Sequence, residues 1–204
     1  MNATFLKPVN RRKWILLLFL SGWFLGNSQT KLRVEPGLLI KTQSENLGLL
    51  FSVEPHLEIS TRSVIGLRFG IAVNSQEFET ISGTRFFIDE ENDNAVISFV
   101  PTFDYYLNYA PTRPYLGLGV GYYVLSTVDV SQGIETILDG SIKNQLGLLL
   151  RGGVALRNTR ISLEYNLIPT ADIQIDNGEV VGTVKNTYLG LSFGFTIIGR
   201  KSSI

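Results

Sequence analysis

The sequence contains no cysteine, one histidine and one methionine among its 204 residues. The absence of cysteine excludes disulfides, thiolate metal sites and a cysteine nucleophile. No acidic residue occurs in the first thirty positions. After residue 30 no apolar run approaches the ~20 residues that a membrane-spanning helix needs. These absences exclude several classes of enzyme and the helical membrane proteins, and they direct attention to how the apolar residues are spaced.

The first thirty residues have the layout of a secretory signal peptide. Four basic residues open it, an apolar run extends from Trp14 to Leu25, and small or polar residues occupy 26–30. The run is too short to cross a bilayer as a helix, which favours a cleaved signal over a membrane anchor. We therefore predict a signal peptide at 1–29 and an exported domain at 30–204.

Removal of the signal leaves fourteen basic and eighteen acidic residues, so the mature chain carries a net charge of about −4. This balance argues against nucleic acid as a partner. An exported chain without a spanning helix is periplasmic, secreted, or a barrel in the outer membrane. The spacing of its apolar residues distinguishes these classes.

Apolar residues alternate with small or charged ones throughout the mature chain, and no helical periodicity is found. The alternation predicts eight strands, each near the ~9–11 residues with which a tilted strand crosses a bilayer. The predicted strands are 32–42, 46–58, 63–73, 95–107, 114–126, 144–156, 160–168 and 186–198. One face of each strand carries Leu, Ile, Phe or Tyr, and the other carries Gly, Ser and charged residues.

The volume of the barrel decides which face points inward. An eight-stranded barrel has an interior only just wide enough for side chains, so dozens of large apolar residues do not fit there. A face of glycine, serine and a few long charged residues does fit. Gly117, Gly119 and Gly121 are therefore expected to face a crowded lumen, and the apolar face is expected to meet lipid.

The connections favour the same architecture. Short joints follow the second, fourth and sixth strands, whereas long loops occupy 74–94, 127–143 and 169–185. Asn177–Gly178 is a strong hairpin signal, so the loop 169–185 is expected to extend as a two-stranded ribbon. The predicted fold class is an all-β, eight-stranded antiparallel up-and-down transmembrane β-barrel.

Three segments resemble a known family: Tyr115–Tyr122, Leu163–Asn166 and Tyr188–Phe195. The chain is similar over its mature length to the small eight-stranded outer-membrane barrels of the OmpX/OmpA-like type. It is especially similar to the "outer membrane protein β-barrel domain" proteins common in Bacteroidetes. The resemblance implies a last-strand signal that the barrel-insertion machinery reads. The residues of that predicted signal are Tyr188, Gly190, Phe193 and Phe195.

The charged residues on the inward face form the candidate site, a predicted lumen charge network. Its members are Glu35, Glu54, His56, Glu58, Arg68, Asp104, Arg151 and Glu164. Charges in a narrow lumen must pair, so the favoured interpretation is a polar plug that holds the barrel together. The alternative is an ion or proton path gated by the network.

A second alternative is catalysis. His56 has Glu54 and Glu58 two positions away on either side, and Ser52 lies on the same face. A Ser/His/Glu set would resemble the barrel lipases that trim lipopolysaccharide, but those enzymes act at the lipid-facing surface. We therefore predict no catalytic residue, no metal and no cofactor.

Five tyrosines are interpreted as interfacial girdles. They are Tyr105, Tyr109, Tyr115, Tyr122 and Tyr165.

The predicted function is non-enzymatic: an integral outer-membrane barrel with a plugged lumen, acting in envelope integrity or surface interaction. The expected partners are outer-membrane lipid and lipopolysaccharide, the barrel-assembly machinery, periplasmic chaperones, and an extracellular protein at the three long loops. A partner strand added to an exposed edge of the 169–185 ribbon is the expected mode of contact. The open alternatives are a small pore and a lipid hydrolase.

Overall fold

The computed structural model describes residues 30–42, 47–75, 79–80, 86–88, 93–126, 128–132, 136–175 and 180–197. The predicted signal peptide and the Asn177–Gly178 turn lie outside the described residues. All regular structure in these ranges is β-strand. Within them there is no helix long and apolar enough to cross a membrane.

Fourteen strands follow one another along the described chain. They are β1 (Lys31–Lys41), β2 (Leu47–Glu58), β3 (Ser63–Ser75), β4 (Glu79–Thr80), β5 (Phe86–Ile88), β6 (Asp93–Tyr106), β7 (Thr112–Leu125), β8 (Val128–Gln132), β9 (Thr136–Ile142), β10 (Gln145–Leu156), β11 (Thr159–Leu167), β12 (Ala171–Gln174), β13 (Val180–Val184) and β14 (Tyr188–Ile197). The eight long strands form a closed barrel, and the six short ones form a second sheet.

The barrel strands pair antiparallel with their neighbours in the order β1-β2-β3-β6-β7-β10-β11-β14, and β14 closes onto β1. The register is continuous around the closure, where Leu38 lies opposite Leu49 on β2 and Leu191 on β14. This confirms the predicted fold class, with strand bounds within two residues of the predicted ones. We call the end where β1 begins and β14 finishes the terminal end, and the opposite end the loop end.

The two faces of the barrel wall are chemically opposite. Leu118 and Phe193 on the outer wall are 52% and 43% exposed, whereas Arg68 inside is 0% exposed. The outward residues form a broad apolar surface of the kind that meets acyl chains. The predicted orientation, with apolar residues outward and charged residues inward, is therefore confirmed.

The glycines of β7 make room for inward side chains. A Cβ on Gly117 would overlap the carboxylate of Asp104 and lie 3.0 Å from Cγ of Arg151. At Gly119 and Gly121 it would press against Val100. The alternation of glycine with large residues thus follows from a lumen filled on one side and lipid-facing residues on the other.

The second sheet covers the loop end in the order β4-β13-β12-β9-β8-β5. Strands β12 and β13 pair antiparallel, as expected for a ribbon in the loop 169–185. The expectation of an exposed ribbon edge is wrong. Ile173 of β12 pairs with Ile142 of β9, and Gly182 of β13 pairs with Thr80 of β4. Strands from the other long loops occupy both edges, which satisfies their backbone donors and acceptors.

An apolar core joins the barrel to this sheet. Its barrel members include Leu39, Leu50, Ala72, Val96, Val100, Leu125 and Leu149, and its loop-end members include Ile142, Ile168, Ala171, Ile173, Ile175, Val181 and Val184. The expectation of a polar lumen therefore holds only in part, because an apolar core occupies the half nearer the loop end beside a few buried polar side chains such as Lys41. The second sheet covers that mouth, so these side chains are buried from both sides.

We predict opposite effects for two adjacent glycines of β10. A Cβ on inward-facing Gly153 would overlap the carbonyl oxygen of Ile161 and lie 3.0 Å from Cα of Ser162. On outward-facing Gly152 it would lie 3.2 Å from the flexible tip of Leu116 and in ordinary contact, at 3.4 Å, with the carbonyl oxygen of Tyr115. Gly153→Ala is expected to reduce the free energy of unfolding by about 1–3 kcal/mol or to prevent folding, since backbone cannot move aside. Gly152→Ala is expected to change it by less than about 1 kcal/mol.

Urea unfolding of the refolded barrel in detergent, followed by gel mobility of unboiled samples, measures both variants. Equal stability of the two would contradict the inward and outward assignments.

Candidate functional site: the charged barrel interior

Six charged side chains near the terminal end form what we call the ionic cluster. Its members are Arg33, Glu35, Glu54, Asp104, Arg151 and Arg160, each at most 4% exposed. Three cations face three carboxylates, so the cluster is formally neutral. A neutral, fully paired set is the arrangement that makes burial of charge tolerable.

Arg151 is the centre of the cluster. Its Nη1 and Nη2 each donate to Glu54 at 2.8 Å, and its Nε and Nη2 donate to Asp104 at 2.8 and 3.0 Å. Strands β10 and β2, which carry Arg151 and Glu54, are four positions apart in a ring of eight. This double fork therefore spans the diameter of the barrel with charge-assisted hydrogen bonds.

Arg160 and Arg33 complete the cluster. Arg160 makes a two-pronged contact with Glu35 and donates to Asp104 at 2.9 Å. Arg33 has longer contacts, 3.4 Å to Glu54 and 3.5 Å to Asp104. The cluster thus links strands β1, β2, β6, β10 and β11 through side chains alone.

A second ion pair lies nearer the loop end. Nη2 of Arg68 donates to both oxygens of Glu164, at 2.9 and 2.8 Å. Asn166 donates to the same carboxylate at 2.9 Å and accepts a hydrogen bond from Tyr123 at 2.8 Å. Strands β3 and β11 also face each other across the barrel. A second polar cross-link therefore spans the lumen, on the terminal side of the apolar core.

The structure brings six of the eight predicted network residues into these two groups: Glu35, Glu54, Arg68, Asp104, Arg151 and Glu164. His56 also faces inward and is 3% exposed, with its Nδ1 3.3 Å from the carbonyl oxygen of Glu54. Glu58 lies at the terminal rim instead, where Lys31 contacts it at 2.6 Å with both side chains partly exposed.

The sequence reasoning missed Arg33 and Arg160. Each lies at an even spacing from a residue assigned to the lumen, Arg33 two before Glu35 and Arg160 four before Glu164. Extending the same parity toward the strand ends would have found both. It would also have placed Tyr115 inside, in step with Gly117.

The assignment of Tyr115 to an interfacial girdle is wrong. Tyr115 is 1% exposed and donates to Ser162 at 2.6 Å inside the barrel. Tyr105 and Tyr109 do lie on the outer surface near the terminal end, where Arg62 stacks on the Tyr109 ring at 4.1 Å. The hydrogen bond from Arg62 to the Tyr105 hydroxyl raises the pKa of the Arg62 guanidinium.

The residues of the predicted insertion signal divide between the two faces. Tyr188 and Gly190 face inward, and a Cβ on Gly190 would lie 2.9 Å from Cγ of Glu164. Phe193 and Phe195 face outward with their rings edge to face, 4.7 Å between centroids. Their recognition by the insertion machinery stays a prediction.

The predicted Ser/His/Glu alternative lacks its geometry. The ring of His56 contacts a backbone carbonyl, and Oγ of Ser52 has no hydrogen-bond partner among the described residues. A nucleophile–base hydrogen bond is the first requirement of such a site. The described ranges also contain no group of three or more His, Cys, Asp or Glu side chains placed to hold a metal ion.

No protein-family model and no curated protein matches the sequence. Solved structures are similar in fold. The outer membrane protein OprG from Pseudomonas aeruginosa has a TM-score of 0.54 and 14% identity, covering 85% of this chain and 99% of that chain. Neisserial surface protein A has a TM-score of 0.47 and 14% identity, covering 83% of this chain and 96% of that chain. At this identity the similarity to OprG shows a shared barrel fold and nothing about activity, and the narrower Bacteroidetes-type resemblance stays a prediction.

We predict that Arg151→Gln destabilises the barrel strongly. The variant leaves Glu54 and Asp104 buried with one counter-charge fewer, a change that typically costs about 3–5 kcal/mol of unfolding free energy. The matched control is Lys31→Gln, which removes the partly exposed contact with Glu58 and should cost less than about 1 kcal/mol.

Urea titrations in one detergent, read by circular dichroism, compare the two variants. Similar losses for both would show that the ionic cluster contributes no more than a surface pair.

Proposed function

We propose that the protein is a non-enzymatic, non-conducting barrel of the outer membrane that displays its loop-end sheet at the cell surface. The observation that carries this proposal is that side chains fill the lumen along the whole barrel axis, with ion pairs at one end and apolar residues at the other. The ionic cluster and the Arg68–Glu164 pair fill the terminal side, and the apolar core fills the loop end.

The outer wall supports membrane placement. Its exposed residues are overwhelmingly Leu, Ile, Phe, Val and Tyr, while the charged strand residues face inward. Export through the predicted signal peptide would place the terminal end in the periplasm, since short turns lie at that end and long loops at the other. The loop-end sheet would then be extracellular.

The filled lumen argues against the pore alternative. Eight strands leave space for side chains only, and here the long arginine side chains reach across it to their carboxylates. An ion would have to displace buried, bidentate pairs to pass. The lipid-hydrolase alternative has no support from His56, which lies inside the barrel away from the lipid-facing wall.

The long loops supply the surface chemistry for an interaction. The loops 74–94, 127–143 and 169–185 together carry twelve acidic and three basic residues. A surface with such an excess of one sign attracts partners of the opposite sign and steers their approach. We therefore assign the loop end to contact with a cationic partner surface, by charge complementarity.

We expect no stable channels when the mature chain is reconstituted in planar lipid bilayers. The reason is that the ionic cluster, the Arg68–Glu164 pair and the apolar core together close the lumen. The variant Arg68→Ala, which lacks the Arg68–Glu164 cross-link, provides a comparison. Its lumen is expected to stay closed because the apolar core and the ionic cluster remain. Long-lived unitary conductance of the unmodified chain would refute the non-conducting barrel.

Neutralising loop acids should weaken binding of a cationic probe. The variant Asp89→Asn, Glu90→Gln, Glu91→Gln in lipid nanodiscs is expected to bind polylysine about threefold or more weakly, because each exposed ion pair contributes about 0.2–1 kcal/mol. Binding to the unmodified chain should also fall as salt is raised from 0.05 to about 0.5 M.

Glu58→Gln, at the opposite end, is the placement control and should leave polylysine affinity unchanged. Equal binding by all three proteins would remove the support for the acidic loop end as the contact surface.

A further inference from the structure

A polar cavity opens at the terminal mouth of the barrel, on the far side of the ionic cluster from the loop-end sheet. It measures about 40 Å³, roughly three times the space that one water needs. Its charged lining residues are Lys31, Arg33, Glu58, Arg113, Arg157 and Arg160. We call this the mouth cavity.

The mouth cavity carries an excess of positive charge. Five of its lining residues are Lys or Arg, and Glu58 is the one carboxylate. Lys31 pairs with Glu58, and the charges of Arg33 and Arg160 are balanced within the ionic cluster. Arg113 and Arg157 remain, and in the part of the chain that the structure describes neither forms an ion pair.

The two surplus arginines lie in different surroundings. The guanidinium of Arg113 stacks on the ring of Tyr106 at 4.4 Å, which fixes its plane without neutralising it. Arg157 occupies the turn between β10 and β11 with a φ of 51°. Glycine or asparagine adopts this left-handed conformation at lower cost. The side chain of Arg157 lines the mouth cavity.

Arg33, which lines the mouth cavity, has an unused donor. Arg33 is 2% exposed, and its Nε has no hydrogen-bond partner among the described residues. A buried guanidinium N–H without an acceptor costs free energy. The mouth cavity is thus lined by two unpaired cations and by a buried arginine whose hydrogen bonding is incomplete.

We propose that the mouth cavity is a binding site for a phosphate dianion. Two surplus positive charges match a phosphate group, which carries about −1.5 to −2 at pH 7. The cations approach from β1, β7 and the β10–β11 turn, so several oxygens can accept at once, as arginine clusters do with phosphate. A carboxylate has one negative charge and would leave one arginine unpaired.

The phosphate could reach the mouth cavity from two sources, a soluble phosphate compound or the terminal phosphate of a lipid headgroup. Its location on the periplasmic side rests on the proposed membrane orientation, whereas binding itself does not. A folded barrel that fails to bind phosphate would leave the proposed surface function unaffected.

The test uses the full mature chain in phosphatidylcholine nanodiscs at 0.15 M sodium chloride, with inorganic phosphate titrated calorimetrically. The variant Arg113→Gln, Arg157→Asn is expected to weaken phosphate binding at least tenfold. The matched control is Arg62→Gln, which removes a cation from the same end of the barrel but outside the mouth cavity, and it should stay within twofold of the unmodified chain. Gel mobility of unboiled samples verifies that each variant is folded.

A second arm replaces free phosphate with phosphatidic acid in the nanodisc and measures the unfolding temperature. A rise that disappears in the double variant and persists in Arg62→Gln identifies a lipid-held phosphate, and calorimetric binding with the same dependence identifies a soluble one. The proposal is overturned if neither arm shows binding, or if Arg62→Gln loses as much affinity as the double variant.

Discussion

The volume inside an eight-stranded barrel is the constraint on which the rest of this structure depends. Eight strands enclose a space that side chains alone can fill. Some inward positions therefore hold a residue that leaves space, such as Gly117, and others hold one that reaches across, such as Arg151 to Glu54. Because the outer wall is apolar, nearly every charge of the strands is forced into this space, where it must find a partner.

Two kinds of interaction share the lumen, and their order along the axis explains how the barrel is closed. Toward the terminal end, arginine forks tie strands on opposite sides of the ring. Toward the loop end, aliphatic side chains pack beneath the second sheet. The polar links tie together strands that the ring order places opposite each other, and the apolar core attaches the long loops to the barrel.

The two ends of the barrel differ in charge as strongly as its two faces differ in polarity. Acidic residues dominate the long loops, whereas Lys31, Arg62, Arg113 and Arg157 surround the terminal mouth with Glu58 as the acidic residue among them. Such a separation of charge creates fields of opposite sign at the two ends. The proposed cationic partner at the loop end and the proposed phosphate site at the mouth cavity thus share one physical basis.

The sequence by itself determined the strands, their inward and outward faces and the closure into eight, because side-chain alternation has a period of two and the lumen has a limited volume. The same alternation places Tyr115 on the inward face, two positions before Gly117, but tyrosine is typical of the interfacial girdle and was assigned to it. The tertiary structure alone decided the pairing of charges. Arg151 lies beside Glu164 in the register of β10 and β11, yet it bonds Glu54 across the barrel. Such contacts, like the joining of three loops into one sheet, depend on the stagger of the closed barrel, which brings together residues far apart in the chain.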